Sequence, residues 1–76
     1  MIKDYLYMQI TSSLESLACN NDITLVNAED LSENVPDTAR INTRAVIMNE
    51  NFDINVDYTY RLAHELSHIL RSESVC

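Results

Sequence analysis

Glycine occurs nowhere in this chain of 76 residues. Average usage is about 7%, so every turn that needs a positive φ must be built from another residue. Asn and Asp tolerate the left-handed region best. Asn20, Asn21, Asn34, Asn49 and Asn51 fall where such turns are expected. The same absence excludes a glycine-rich phosphate loop, and with it the common mode of nucleotide binding.

Between these turn positions the chain is periodic. Leu6, Ile10, Leu14 and Leu17 recur at helical spacing and predict a helix over roughly 4–19, its stripe toward the core, ended by Asn20 and Asn21. Tyr5, Tyr7 and Met8 widen its apolar surface. The β-branched run DITLVNA (22–28) predicts a strand. Residues 29–42 are polar, hold the only proline, Pro36, and predict a loop or a short helical turn followed by loop. TRAVIMN (43–49) predicts a second strand, apolar on both sides and hence expected to be covered on both faces. A polar turn leads into a last helix, from about 56 or 58 to 71 or 72, with Asn55 or Asp57 as its N-cap. The order helix, strand, strand, helix predicts an α+β unit: a small antiparallel sheet with helices on one face.

Size and charge narrow the function. Seventy-six residues make one domain, 1–76, and a chain this short buries only about 60% of its unfolded surface. Such domains gain much from a metal, disulfides or a partner chain. The net charge of −7, with five scattered basic residues, argues against direct nucleic-acid binding, which needs clustered Lys and Arg. Cys19 and Cys76 are too few for a disulfide framework, and the N-terminal residues are interrupted by charge, unlike a signal peptide. No apolar run approaches the roughly 18 residues that span a bilayer. A reduced cytoplasmic protein is the expectation.

The last helix carries the chemistry. In RLAHELSHIL (61–70) the two histidines of the chain stand four residues apart, with Glu65 directly after the first. On a helical wheel Leu62, Leu66, Ile69 and Leu70 form a core arc, with Thr59 and Ala63 beside it, while His64 and His68 lie on the other side about 40° apart. Two imidazoles one turn apart can reach one Zn²⁺ at about 2.0–2.1 Å, and Glu65 beside them can take a proton from a metal-bound water. The spacing is the H-E-x-x-H pattern. As a bare string it is weak; its place mid-helix, away from the core arc, strengthens it against a solvated face with incidental histidines. Asp53, Asp57 and Glu50 are candidates to accept from the other ring nitrogens.

The stretch AVIMNENFDINVDYTYRLAHELSHIL resembles the heart of the ImmA/IrrE group of bacterial and phage metallopeptidases. In that group a strand ending in Asn leads through a polar turn into a helix bearing an AHELgH-like motif. Ala63, His64, Glu65, Leu66 and His68 match it directly, as do the strand at 45–48, Asn49 and Leu70. The resemblance covers about residues 23–72. It implies a zincin-like fold, His64 and His68 as zinc ligands and Glu65 as general base. It further implies site-specific cleavage of a protein, typically a helix-turn-helix repressor in the regulatory switch of a phage or mobile element. Ser67 stands where the family has Gly, a small-for-small exchange.

The family's third zinc ligand is an acidic residue on a later helix, so the chain reads as a short member lacking the downstream helices. A catalytic zinc ordinarily has three protein ligands and a water. Asp37, Glu50 or Asp53 from the loops, Cys76 at the end of the chain, or a second subunit are the possible donors, whereas Glu73 points toward the core side of the wheel. With no third donor, the chain would instead be an inactive relative that binds a repressor as an antirepressor-like module. A plain helical interaction domain is the third reading. A short chain of this kind is also expected to expose apolar surface and self-associate. If it is a peptidase, the edge of the 43–49 strand is where an extended substrate would pair.

Overall fold

The computed structural model describes residues 2–73, with side-chain placement for 5–72. Its elements are α1 (Ile2–Asn20), β1 (Thr24–Ala28), β2 (Thr38–Arg40), β3 (Ala45–Asn49) and α2 (Tyr58–Glu73). The class is α+β, with the helices and both expected strands in place. The stretch read as loop contains one more strand, β2.

α1 ends by a mechanism that usually calls on glycine. Asp22 adopts a left-handed φ of 57°. Its N–H donates to the Cys19 carbonyl, and the Ile23 N–H reaches back to Ala18 at 2.9 Å. These are the two bonds of a Schellman cap, and Ile23 and Ala18 are both buried in the core, as that motif favours. Asn20 and Asn21 therefore do not supply the left-handed residue. The other positive φ falls on Arg44, 53°, in the turn between β2 and β3. A left-handed residue with a Cβ costs about 1–2 kcal/mol. Here the strained turn is tied down twice: the Arg44 guanidinium donates to the Asn21 carbonyl, and its own carbonyl accepts the Thr24 N–H at 2.9 Å.

The sheet has the order β1-β3-β2. β2 pairs antiparallel with β3, placing Ala39 opposite Val46, but β1 pairs parallel with β3, placing Leu25 beside Val46 and Asn27 beside Met48. The sheet is thus mixed, a correction to the wholly antiparallel arrangement expected. Parallel neighbours need a long connection between them, and the segment containing β2 is that connection. It also makes β3 the central strand. Both edges of 43–49 are occupied, so the open edges belong to β1 and β2, and the peptide-pairing edge expected on 43–49 does not exist.

The core lies between one sheet face and the helices: Val46 and Met48 from β3, Leu62, Leu66 and Ile69 from α2, with Ala18 and Ile23. Full burial of a side chain such as Leu or Ile contributes about 1.5–3 kcal/mol, so the three α2 residues alone are a large share of what holds the unit together. No described element covers the other sheet face. Ala45 and Ile47 are half-buried and Val26, paired with Ile47, is exposed. The expectation of two covered faces on β3 is corrected accordingly. In α1 the stripe Leu6, Ile10, Leu14, Leu17 is not the buried face either: Leu6, Ile10 and Leu17 are exposed, and buried Ala18 with half-buried Leu14 makes the contact with the core.

Candidate functional site

α2 begins at Tyr58 with Asp57, rather than Asn55, in the N-cap position, where its carbonyl accepts the first intrahelical bond from Arg61 at 3.1 Å. Leu62, Leu66 and Ile69 are fully buried and Leu70 half-buried, so the core arc is the one read from the wheel, although Ala63 at its margin is exposed. The opposite side of the helix then has to face outward, and both histidines do.

Their geometry is specific. The Nε2 atoms of His64 and His68 stand 3.2 Å apart, with ring centroids 4.7 Å apart and planes at 85°. One ring must carry its proton on Nε2 to make this contact. Two nitrogens each about 2.0–2.1 Å from a tetrahedral zinc would be roughly 3.4 Å apart. The pair therefore already has nearly the bite of a zinc-chelating bis-histidine, and zinc would take the place of the shared proton. Ser67, between them, turns its hydroxyl to the His64 carbonyl at 2.6 Å and does not compete.

Glu65 is half-buried and, with His64, lines a pocket of 270 Å³ whose other walls include Phe52, Ile54, Val56 and Tyr60. Burial raises the Glu65 pKa above the ordinary carboxylate value. The two imidazoles oppose that rise, and the Asp37 charge adds to it. A carboxylate with raised proton affinity, at the edge of an apolar pocket and next to two metal-type donors, suits a general base.

What holds α2 at this position is a polar network that the sequence did not reveal. Asp37 is buried and binds Arg61 through both carboxylate oxygens, Oδ2 to Nε at 2.8 Å and Oδ1 to Nη2 at 3.1 Å. The same Oδ1 accepts the Asn49 N–H at 2.8 Å, and Arg61 Nη2 also donates to the Asn49 carbonyl at 3.0 Å. Asn49, wholly buried, turns its amide to the carbonyls of Ser32 and Val35 and accepts the Asn51 N–H. Asn51 in turn holds Glu29 and Leu31. The Asp37 hydrogen bond makes the guanidinium harder to deprotonate still, against the opposing effect of burial. Asn49 and Asn51, two of the asparagines expected to make left-handed turns, thus serve as amide clamps, fastening the 29–36 loop to the strand end that leads into α2. Opposite charges at 37 and 61 were the available signal, but 24 residues separate them.

The third ligand is the point of difference. Among the described residues no group of three His, Cys, Asp or Glu side chains is placed to hold a metal ion. Asp37 is committed to Arg61 and Asn49. Glu50 and Asp53 are exposed and do not join the pair, and no hydrogen bond links Glu50, Asp53 or Asp57 to either imidazole. Cys76 and the Glu73 side chain lie outside the described residues. The residues present fit zinc as two donors with a base beside them, half of a complete shell. No described helix is long and apolar enough to cross a membrane. Compared with known proteins, the chain matches no family model, and no curated protein or solved structure matches it significantly.

Proposed function

We propose that this chain forms the zinc-binding half of a metalloendopeptidase site of the ImmA/IrrE type. The reading is carried by one observation: two outward imidazoles whose Nε2 atoms converge to 3.2 Å beside a half-buried glutamate. His64 and His68 hold the metal, and Glu65 accepts the proton of the attacking water. Zinc, when bound, supplies a water of pKa about 7 and polarises the scissile carbonyl. Arg61, clamped by Asp37 and Asn49, fixes the helix so that the three side chains keep their relation to the pocket. The remaining ligand comes from outside the described residues.

The substrate in this reading is a protein, a helix-turn-helix repressor of a phage or mobile-element switch, met in the cytoplasm. β2 is the strand edge suited to an extended segment of it, because it is an open edge, directly follows Asp37 and packs against α2. The test is Glu65→Gln. Zinc binding is retained and cleavage of the repressor is lost; cleavage at the wild-type rate by this variant ends the reading.

A second reading is favoured by the two-donor set itself: a non-catalytic relative that uses the same scaffold to bind a repressor, its acidic surface facing a basic partner. It predicts a folded protein that binds the repressor without zinc and without cleaving it.

A further inference from the structure

We infer that one zinc ion bridges two copies of this chain, each giving His64 and His68 to a four-imidazole site. The inference rests on the histidine pair being zinc donors and adds what fills the other positions when no outside ligand does.

Zinc in a closed site takes four donors, and the described residues offer two. Those two are preset at nearly chelating distance, on the outer face of a helix whose inner face is locked into the core. An outward pair is open to a second copy in a way that a pair deep in a cleft is not. A symmetric meeting of two α2 helices brings the pairs together, and a two-fold interface is the commonest form of self-association.

The surroundings favour the same occupant. Tyr60 lies one helical turn before His64 and is 71% exposed, and Ile54 and Val56 stand exposed on the same side as lining residues of the pocket that His64 borders. A second copy seated over the metal covers this apolar rim. Charge acts the other way: two chains of net charge −7 repel. The cation offsets that repulsion at the contact, so association depends on it. Four imidazoles leave no position for water, and Glu65 then has no metal-bound proton to accept. The bridged dimer is the silent form, and an outside ligand that displaces the second copy opens the site.

Sedimentation velocity of the full chain, with zinc chloride titrated from a chelator-treated start, tests this. The expected result is a monomer without metal and a dimer with one zinc per two chains, reversed by EDTA. His64→Ala and His68→Ala, checked for folding by circular dichroism, stay monomeric at zinc concentrations that fully dimerise the wild type, and Tyr60→Ser weakens the dimer. One zinc per chain on a monomer overturns the bridge and leaves the donor pair intact. No zinc binding overturns both. A zinc-dependent dimer that survives loss of either histidine also overturns the bridge, because the metal then sits elsewhere.

Discussion

Of the two helices in this molecule, α1 is the more apolar and the less buried, because only α2 gathers its apolar residues on one face. α2 buries one face completely and turns a polar face with a defined pair of histidines outward. α1 meets the core through Ala18 and Leu14 and leaves Tyr5, Leu6, Met8 and Ile10 about half exposed or more. The difference is in what each helix packs against. α2 lies against the sheet and is pinned by the Asp37–Arg61–Asn49 network. α1 touches β1 and α2, the latter through a hydroxyl contact between Thr11 and Thr59 at 2.5 Å. Amphipathic periodicity says which face could be buried; it does not say whether a partner exists to bury it.

Removing one side of the buried ion pair breaks the contrast most severely. Arg61→Ala leaves the buried Asp37 carboxylate without its counter-charge and is expected to cost about 3–5 kcal/mol, read from urea unfolding; Asp37→Ala strands the half-buried Arg61 and should cost less. Replacing both residues by apolar ones of similar volume should cost much less, which separates loss of pairing from loss of packing. Leu66→Ala is expected to cost about 2–5 kcal/mol by leaving a cavity in the core.

Much of this contrast was legible in the sequence and part was not. The core arc of α2 and the outward pair follow from 3.6-residue spacing, as do both helices, and the runs at 22–28 and 43–49 mark β1 and β3 by their β-branched and apolar residues. β2 was missed because Thr38–Arg40 has no apolar run. The parallel pairing of β1 with β3 was missed because it depends on where the intervening segment docks. That docking is set by Asp37, Asn49 and Asn51, polar residues whose partners are distant in sequence. The same lack of long-range information made the α1 leucine stripe read as core.

Metal sharpens the comparison next. Zinc at about 100 times its dissociation constant should stabilise the fold by roughly 2.7 kcal/mol, an effect centred on α2 and lost in His64→Ala. Ligating imidazoles must be unprotonated, so the zinc-induced rise in melting temperature should be large at pH 8 and absent at pH 5.

Smaller effects follow at the edge of α2 and along α1. Tyr58 donates to Asn27 Oδ1 at 2.6 Å, and Tyr58→Phe is expected to cost about 0.5–1.5 kcal/mol. Burial raises the pKa of this phenol, with a smaller push from Glu15. The unfolded chain therefore ionises first, and wild-type stability should fall as pH rises past about 10; the Phe variant lacks that contribution. Leu6→Ala and Ile10→Ala in α1 should change stability by no more than about 0.5 kcal/mol. A loss of about 2 kcal/mol or more at either position, the cost of truncating a buried Leu or Ile, would mean that α1 is buried against something in solution.

Nitrogen-15 NMR of the two imidazoles during a zinc titration bears most directly on the proposed chelation by His64 and His68. The expected result is that the Nε2 resonances of His64 and His68 shift together, at the same zinc concentration, and that in the zinc-bound form both rings carry their protons on Nδ1. Rings that ignore the metal, or a shift confined to one of them, would contradict it.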